Sequence, residues 1–298
     1  MTRPVTVGTD GSQESAAAAD WAAEEALLRD RELVLAHVDF DPADPVVRYV
    51  DPETRRRWAA ELLDAAAAHV RGAHPGVRLE THQYPGDPVA GLAELSGTSD
   101  LLVLGSRGLG AAMGFLAGSV SLAVLARARG PVTLVRAPLD GGATVPDGDV
   151  VAGVDIREDE DAVLRYACEA ARRHGSGLRL VHSWAPPMAY SPYSASAVPM
   201  LASEIAAQRR KKLGALVEKW ATAYPDIEIS GQCRQGSAAL DVVEAARESR
   251  LVVVGLRSRH SALGLRVGPV VHAVLHHSTA PVAVVPHDGT VREDAVPT

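Results

Sequence analysis

The sequence predicts an α/β protein in which one fold is written twice, each copy a parallel sheet covered by helices on both faces. Three observations lead there. Aligning residues 101–135 with residues 251–285 gives 14 identities in 35 positions without a gap, a repeat too long and too regular for chance similarity of two strands. Each half alternates short apolar runs with helical segments, the pattern of right-handed βαβ units. Runs such as LLVLG (101–105) and LVVVG (251–255) are apolar at nearly every position, as strands buried on both faces require.

The elements follow in the same order in both halves. A Val-rich strand begins at Val5, and its counterpart begins at Asp149. A helix follows, SQESAAAADWAAEEALLRD in the first half and EDEDAVLRYACEAARRHG in the second. Its buried face is expected to carry Trp21, Leu27 and Leu28, or Val163, Tyr166 and Ala170, which recur at helical spacing. Next come a strand (Glu32–Val38; Leu178–Ser183), a loop and a longer helix. Then follow an alternating strand (Val77–Tyr84; Ile227–Arg234), a short helix (Val89–Leu95; Ala238–Ala246), an apolar strand, a glycine-rich loop, a helix and a last apolar strand. Asp10 pairs with Asp155 and His37 with His182 at an offset of 145; the offset then grows to 150, which places about five extra residues in the loop WAPPMAYSPYSASA (184–197). The expected division is a first domain over 1–138, a linker rich in Gly, Pro and Asp over 139–148, a second domain over 149–287 and a polar tail over 288–298.

Bulk properties remove several function classes. The 298 residues carry a formal charge of -7, so general attraction to nucleic acid or an anionic membrane is not expected. No apolar run approaches the roughly 20 residues that cross a bilayer, and MTRPVTVGTD lacks the apolar core of a secretory leader. The cytoplasm is the expected location. Cys168 and Cys233 share no metal-type spacing and read as packing residues. The run Arg55–Arg57 reads as a solvated helix face. His272 and His276 stand four apart on a helix, but without a third ligand they read as a helix-end pair rather than a metal site. The acids of EDED (158–161) read as helix-opening charges. No nucleophile stands with a base, so no catalytic residue is assigned.

The chemistry is concentrated in GSRGLGAAMGFLAGS (105–119), between a buried strand and a helix. Ligands of open parallel sheets sit at the carboxyl ends of strands, and free backbone N–H groups at a helix start favour an anion. A Walker loop is ruled out, because 105–119 contains no lysine. A dinucleotide GxGxxG beginning at Gly108 would put Met113 at its third glycine. The pattern that fits is G-x2-G-x9-G-[ST], met by Gly105, Gly108, Gly118 and Ser119. In the second half Ser258 replaces Gly108 and Pro269 replaces Ser119. Proline keeps a helix start but removes a hydroxyl and an N–H, so this copy is expected to be weakened or vacant. Its Arg259, His260 and Arg266 leave attraction of an anion by charge alone open.

Together with the acid of VGTDGS, His37-Val38 and Pro131-Val132, this loop resembles the universal stress protein family, specifically its tandem ATP-binding branch. The resemblance implies two Rossmann-like domains, each with a five-stranded parallel sheet, paired through their last strands as a pseudo-dimer. It implies that Gly8, Thr9, Asp10 and Val38 line a nucleoside pocket. It also implies that Gly105, Ser106, Arg107, Gly108, Gly118, Ser119 and Val120 hold ribose and phosphates of ATP, with or without Mg. An acid at Asp10 can accept from hydroxyls or amines; the competing reading is a cap on the helix that starts near Ser12. The expected role is regulatory, in stress response, without dedicated catalysis and through an unidentified protein partner. A slow ATP hydrolase and a nucleotide-independent interaction module stay as alternatives, and association of two chains stays open.

Overall fold

A computed structural model of the chain describes residues 2–39, 50–106, 119–137, 147–158, 160–185, 198–257 and 267–288. The loop positions Arg107, Gly108 and Gly118, and the Ser119 side chain, lie outside the described residues. So do most of the expected linker, the extra residues after Trp184, Arg259, His260 and Arg266, and the tail beyond Asp288.

The chain is an α/β fold built from two similar halves. In the first half β1 (Val5–Gly8), β2 (Leu33–Val38), β3 (Leu79–Tyr84), β4 (Leu101–Ser106) and β5 (Val132–Arg136) alternate with α1 (Gln13–Arg29), α2 (Pro52–Ala73), α3 (Pro88–Thr98) and α4 (Ser119–Leu125). The second half gives β6 (Val150–Gly153), α5 (Asp161–His174), β7 (Leu178–Trp184), α6 (Val198–Ala223), β8 (Ile229–Gln235), α7 (Ala238–Ala245), β9 (Leu251–Arg257), α8 (Pro269–His277) and β10 (Val282–His287). By compactness the chain divides into two units. The first holds β1 to β5 and also takes in Pro281–Pro286 from the end of the chain; the second holds β6 to β9.

In the first unit the strand order is β3-β2-β1-β4-β5-β10. All pairings among β1 to β5 are parallel, whereas β10 runs antiparallel to β5 in the register Val282↔Leu134 and Val284↔Val132. The sheet core is Val5, Val7, Leu33, Leu35, Leu101 and Leu102, all fully buried. The helix ends follow their capping residues. Ser12 caps α1 by accepting from Ser15 N, Asp51 caps α2 ahead of Pro52, and Asp87 caps α3 by accepting from Ala90 N at 2.7 Å. Asp30 closes α1 in the left-handed conformation, and its N–H reaches Ala26 O and Leu27 O.

The α1 face corrects one expectation. Trp21 is buried, but Leu27 and Leu28 are 46% and 45% exposed. The face against the sheet is instead Ala18, Ala19, Ala22, Ala23 and Ala26, together with Glu25. Small side chains let the helix backbone lie close to the strands: a Cβ built on Gly105 would stand 2.6 Å from the carbonyl carbon and oxygen of Glu14. Glu25 is held by Arg29, whose guanidinium also reaches Asp100 Oδ2 at 2.6 Å, so a buried ion cluster fastens the end of α1 to the start of β4.

In the second unit the order is β9-β6-β7-β8, parallel throughout. Here the α5 face is as expected, with Val163, Tyr166 and Ala170 all buried. Cys168 is fully buried, and burial pushes its thiol up to about 12, so it stays protonated and acts as packing.

Candidate functional site at the strand ends

The first-half site is assembled by register. Gly8 at the end of β1 lies opposite Ala36 of β2 and Leu104 of β4, which brings the segments after all three strands to one edge. Gly8, Thr9, Asp10, Val38, Gly105 and Ser106 therefore gather there, and α4 opens with Ser119 and Val120, the latter 40% exposed. Gly8 leaves no room for a side chain, since a Cβ would meet Leu104 Cδ2 at 2.7 Å and Leu92 Cδ2 at 3.0 Å. Val38 is buried against α3, within reach of Gly91. Ser106 is turned inward and donates to Val135 O at 3.3 Å, so its hydroxyl serves the sheet in this structure.

Asp10 sits in a turn that the sequence builds deliberately. Gly11 takes a φ of 79°, a region glycine adopts without strain, and redirects the chain into α1. Ser12 donates from Oγ and from N to Asp10 Oδ1, at 2.5 and 3.0 Å, while its Oγ accepts from Ser15 N. Ser12 is thus the cap, and Asp10 holds the cap in place. Partial burial pushes the Asp10 carboxyl up, but these hydrogen bonds outweigh it and leave it below the ordinary carboxylate range. The carboxylate is ionised at neutral pH, and both Ser12 bonds fall on its Oδ1. A depressed value stabilises the fold above the unfolded pKa of about 4; that contribution is lost as pH falls through the lower folded value. Asp10→Asn should therefore remove part of the acid sensitivity: unfolding free energies of the variant and the parent are expected to differ at neutral pH and to draw together as the pH is lowered through and below the ordinary carboxylate range.

Two residues outside the expected set also shape this edge. Ser121 donates to Gly105 O at 3.0 Å and ties the first turn of α4 to the end of β4. Arg136, half-buried, is in register with Ser106, and burial lowers its pKa. The repeat comparison could have found Ser121, because Val271 stands in its place in the second half. His37 Nδ1 lies 2.9 Å from Thr9 O. A carbonyl accepts only, so this nitrogen carries the proton.

The second half rebuilds the same edge with different chemistry. His182 Nδ1 repeats the histidine contact, 3.0 Å from Val154 O. Glu160 replaces Ser15 as the group that accepts from the backbone N–H of the acid: Asp155 N donates to Glu160 Oε2 at 3.0 Å, where Asp10 N donates to Ser15 Oγ at 3.4 Å. Arg157, in the place of Ser12, closes on Asp155 with contacts of 2.9 Å to Oδ1 and 2.7 Å to Oδ2. Burial pushes Asp155 up, but Arg157 overrides it and holds the carboxyl low.

Glu160 at the N-cap and Asp161 open α5 as expected, and Asp159 lies outside the described residues, but two of the EDED acids also have distant partners. Glu158 pairs with Arg257, and Glu160, 7% exposed, lies 3.9 Å from His287 Nε2. Donor atoms of Glu158, Glu160 and His287 fall within 4.8 Å of one another, although the Arg257 guanidinium already meets the charge of Glu158. His272 and His276 lie with their rings tilted at 48° and their Nε2 atoms 3.2 Å apart. Beside Asp155 and His182 lies a cavity of about 460 Å³.

Two α/β halves, each bringing a strand-end acid, a carbonyl-pinned histidine and a strand-to-helix loop to one edge, define a tandem protein of the Rossmann-like class. Residues 1–136 and 148–286 match the Universal stress protein family. Over 295 residues the chain is 31% identical to a universal stress protein of Mycobacterium tuberculosis, with 94% of this chain and 96% of that protein covered. It is 30% identical over 291 residues to one from Mycolicibacterium smegmatis, with the same shares covered. The crystal structure of a universal stress protein from Archaeoglobus fulgidus superposes with a TM-score of 0.70 at 20% identity, covering 95% of this chain and 98% of that one. The chain belongs to the universal stress protein family. No helix among the described residues is long and apolar enough to cross a membrane.

Proposed function

We propose that the first domain (1–138) binds ATP, and that the bound nucleotide biases conformation or the choice of a protein partner without dedicated turnover. The observation that carries this reading is the pattern G-x2-G-x9-G-[ST] at Gly105, Gly108, Gly118 and Ser119, set between β4 and α4. Backbone N–H groups at the opening of α4 suit phosphate oxygens. Asp10, with an oxygen not engaged by Ser12, suits a ribose hydroxyl or an adenine amine. Gly8, Thr9 and Val38 would wall the nucleoside, and Ser106, Arg107 and Val120 would flank the phosphates. A Mg ion would travel with the triphosphate. The second domain (149–287), joined through the linker 139–148, would serve chiefly as the pairing partner of the first.

Isothermal titration of ATP into the full chain tests this. One site is expected, weakened roughly tenfold by Asp10→Ala, the loss of about one hydrogen bond to a charged acceptor. Absence of binding, with Gly118→Ala behaving like the parent, would remove the assignment. Steady ADP release abolished by Asp10→Ala would instead select the hydrolase.

A further inference from the structure

The cavity of the second unit has a chemistry unlike that of a triphosphate site. Its volume of about 460 Å³ lies within the range of small-molecule sites. Its walls are mainly apolar, among them Val154, Val242, Val254 and Trp184. The acid in its lining, Asp155, has both oxygens on Arg157, so a ribose hydroxyl would have to compete with a guanidinium for it. Pro269 offers no N–H at the opening of α8, and Val271 offers no hydroxyl where the first half has Ser121.

Among the described residues, three polar groups in the lining lack a counterpart. Because His182 Nδ1 donates to Val154 O, Nε2 holds a bare lone pair; the ring is 4% exposed, and no donor among the described residues reaches that atom. Burial holds the imidazole below its ordinary pKa, so it stays neutral and accepting. Ser183 Oγ, on the other face of β7, is also buried without a hydrogen bond among the described residues. Arg209 reaches the cavity from α6, and no carboxylate pairs with it among the described residues. Buried polar atoms without partners cost free energy, and a ligand that supplies the missing groups recovers it. The other charges are already met: Arg157 by Asp155, and Glu160 by Asp155 N–H beside His287.

We propose that this cavity binds a compact, ring-bearing organic anion: an apolar body against the valines and Trp184, one acidic group on Arg209, and one N–H or O–H donor directed towards His182. The site is distinct in ligand class from the nucleotide loop of the first half, and it does not depend on that loop holding ATP.

A suitable probe is 8-anilinonaphthalene-1-sulfonate, which has two aromatic groups, one sulfonate and one N–H. Its neutral comparator, N-phenyl-1-naphthylamine, lacks only the sulfonate. Titrated into the folded full chain and followed by probe fluorescence, the sulfonate is expected to bind at one site. Arg209→Met should weaken it roughly tenfold, as loss of a charge-assisted contact does, while leaving the neutral comparator within about twofold. Ala238→Phe, which fills the cavity from the half-buried start of α7, should abolish both. Circular dichroism of each variant establishes that it is folded. Equal sulfonate affinity in Arg209→Met and the parent, or unchanged binding in Ala238→Phe, overturns the proposal. So does displacement of the probe by ATP, which would make the cavity a second nucleotide site.

Discussion

Replacing Arg29 with methionine is expected to lower the unfolding free energy by about 3–5 kcal/mol, the usual loss when one partner of a buried ion pair is removed. The Arg29 side chain is 7% exposed and that of Glu25 only 2%, so the carboxylate left behind has little access to water. Methionine keeps most of the aliphatic volume, so the loss reports charge and hydrogen bonding rather than a void. Asp100 is 37% exposed, and water replaces much of what Arg29 supplies to it. Asp100→Asn should accordingly cost under about 1 kcal/mol, as exposed pairs do. Urea unfolding of the parent and both variants checks the order; a smaller loss for Arg29→Met than for Asp100→Asn would contradict it. The effect reaches the candidate site because the same helix begins in the turn that carries Asp10.

Gly105→Ala is expected to destabilise by about 3 kcal/mol, the upper part of the range for overpacking. The new methyl would meet Glu14 C and O at 2.6 Å and Ser15 N at 2.8 Å, all backbone atoms in the first turn of α1. Relief would require moving the whole helix. The equivalent change in the second half, Gly255→Ala, meets the His287 ring at 2.9 Å and Val163 Cγ2 at 3.2 Å, which are side chains that can turn aside. It should cost about 1 kcal/mol. Paired thermal and urea denaturation gives both values, and equal losses would show that helix proximity is not what demands glycine at Gly105. These residues hold the first position of the glycine pattern in their halves. Part of that pattern therefore reflects packing of a helix on a strand, independently of any phosphate.

That double duty explains what could be read in the sequence. The strands were legible because burial on both faces leaves an almost unbroken apolar run, as in Leu101–Leu104 and Leu251–Val254. The repeat then carried one half's assignment to the other. The α1 face was not legible from apolar spacing, because close approach selects Ala18, Ala22 and Ala26 over Leu27 and Leu28. Periodicity weighted by side-chain size favours the wrong stripe there. The roles of Glu158 and Glu160 depend on Arg257 and His287, about a hundred residues away, which no local pattern reports. At the site, the sequence located the strand ends and Asp10. It did not disclose that Arg157 would cover the equivalent acid, nor that the degenerate half would retain a cavity. Both are consequences of where side chains point once β6, β7 and β9 are side by side.

The histidine contacts have a consequence for how either edge meets a ligand. His37 on Thr9 O and His182 on Val154 O each tether the end of the second strand of a half to the peptide just before its acid. The contact adds a side-chain tie to the backbone bonds already there, Thr9 N to Ala36 O and Val154 N to Val181 O, so the two segments are held as one surface before anything binds. The entropy of ordering them is therefore spent during folding and does not weigh on affinity. The starts of α4 and α8 differ instead, with Ser121 in the first half and Pro269 and Val271 in the second, so each half keeps the same tethered side and varies the other.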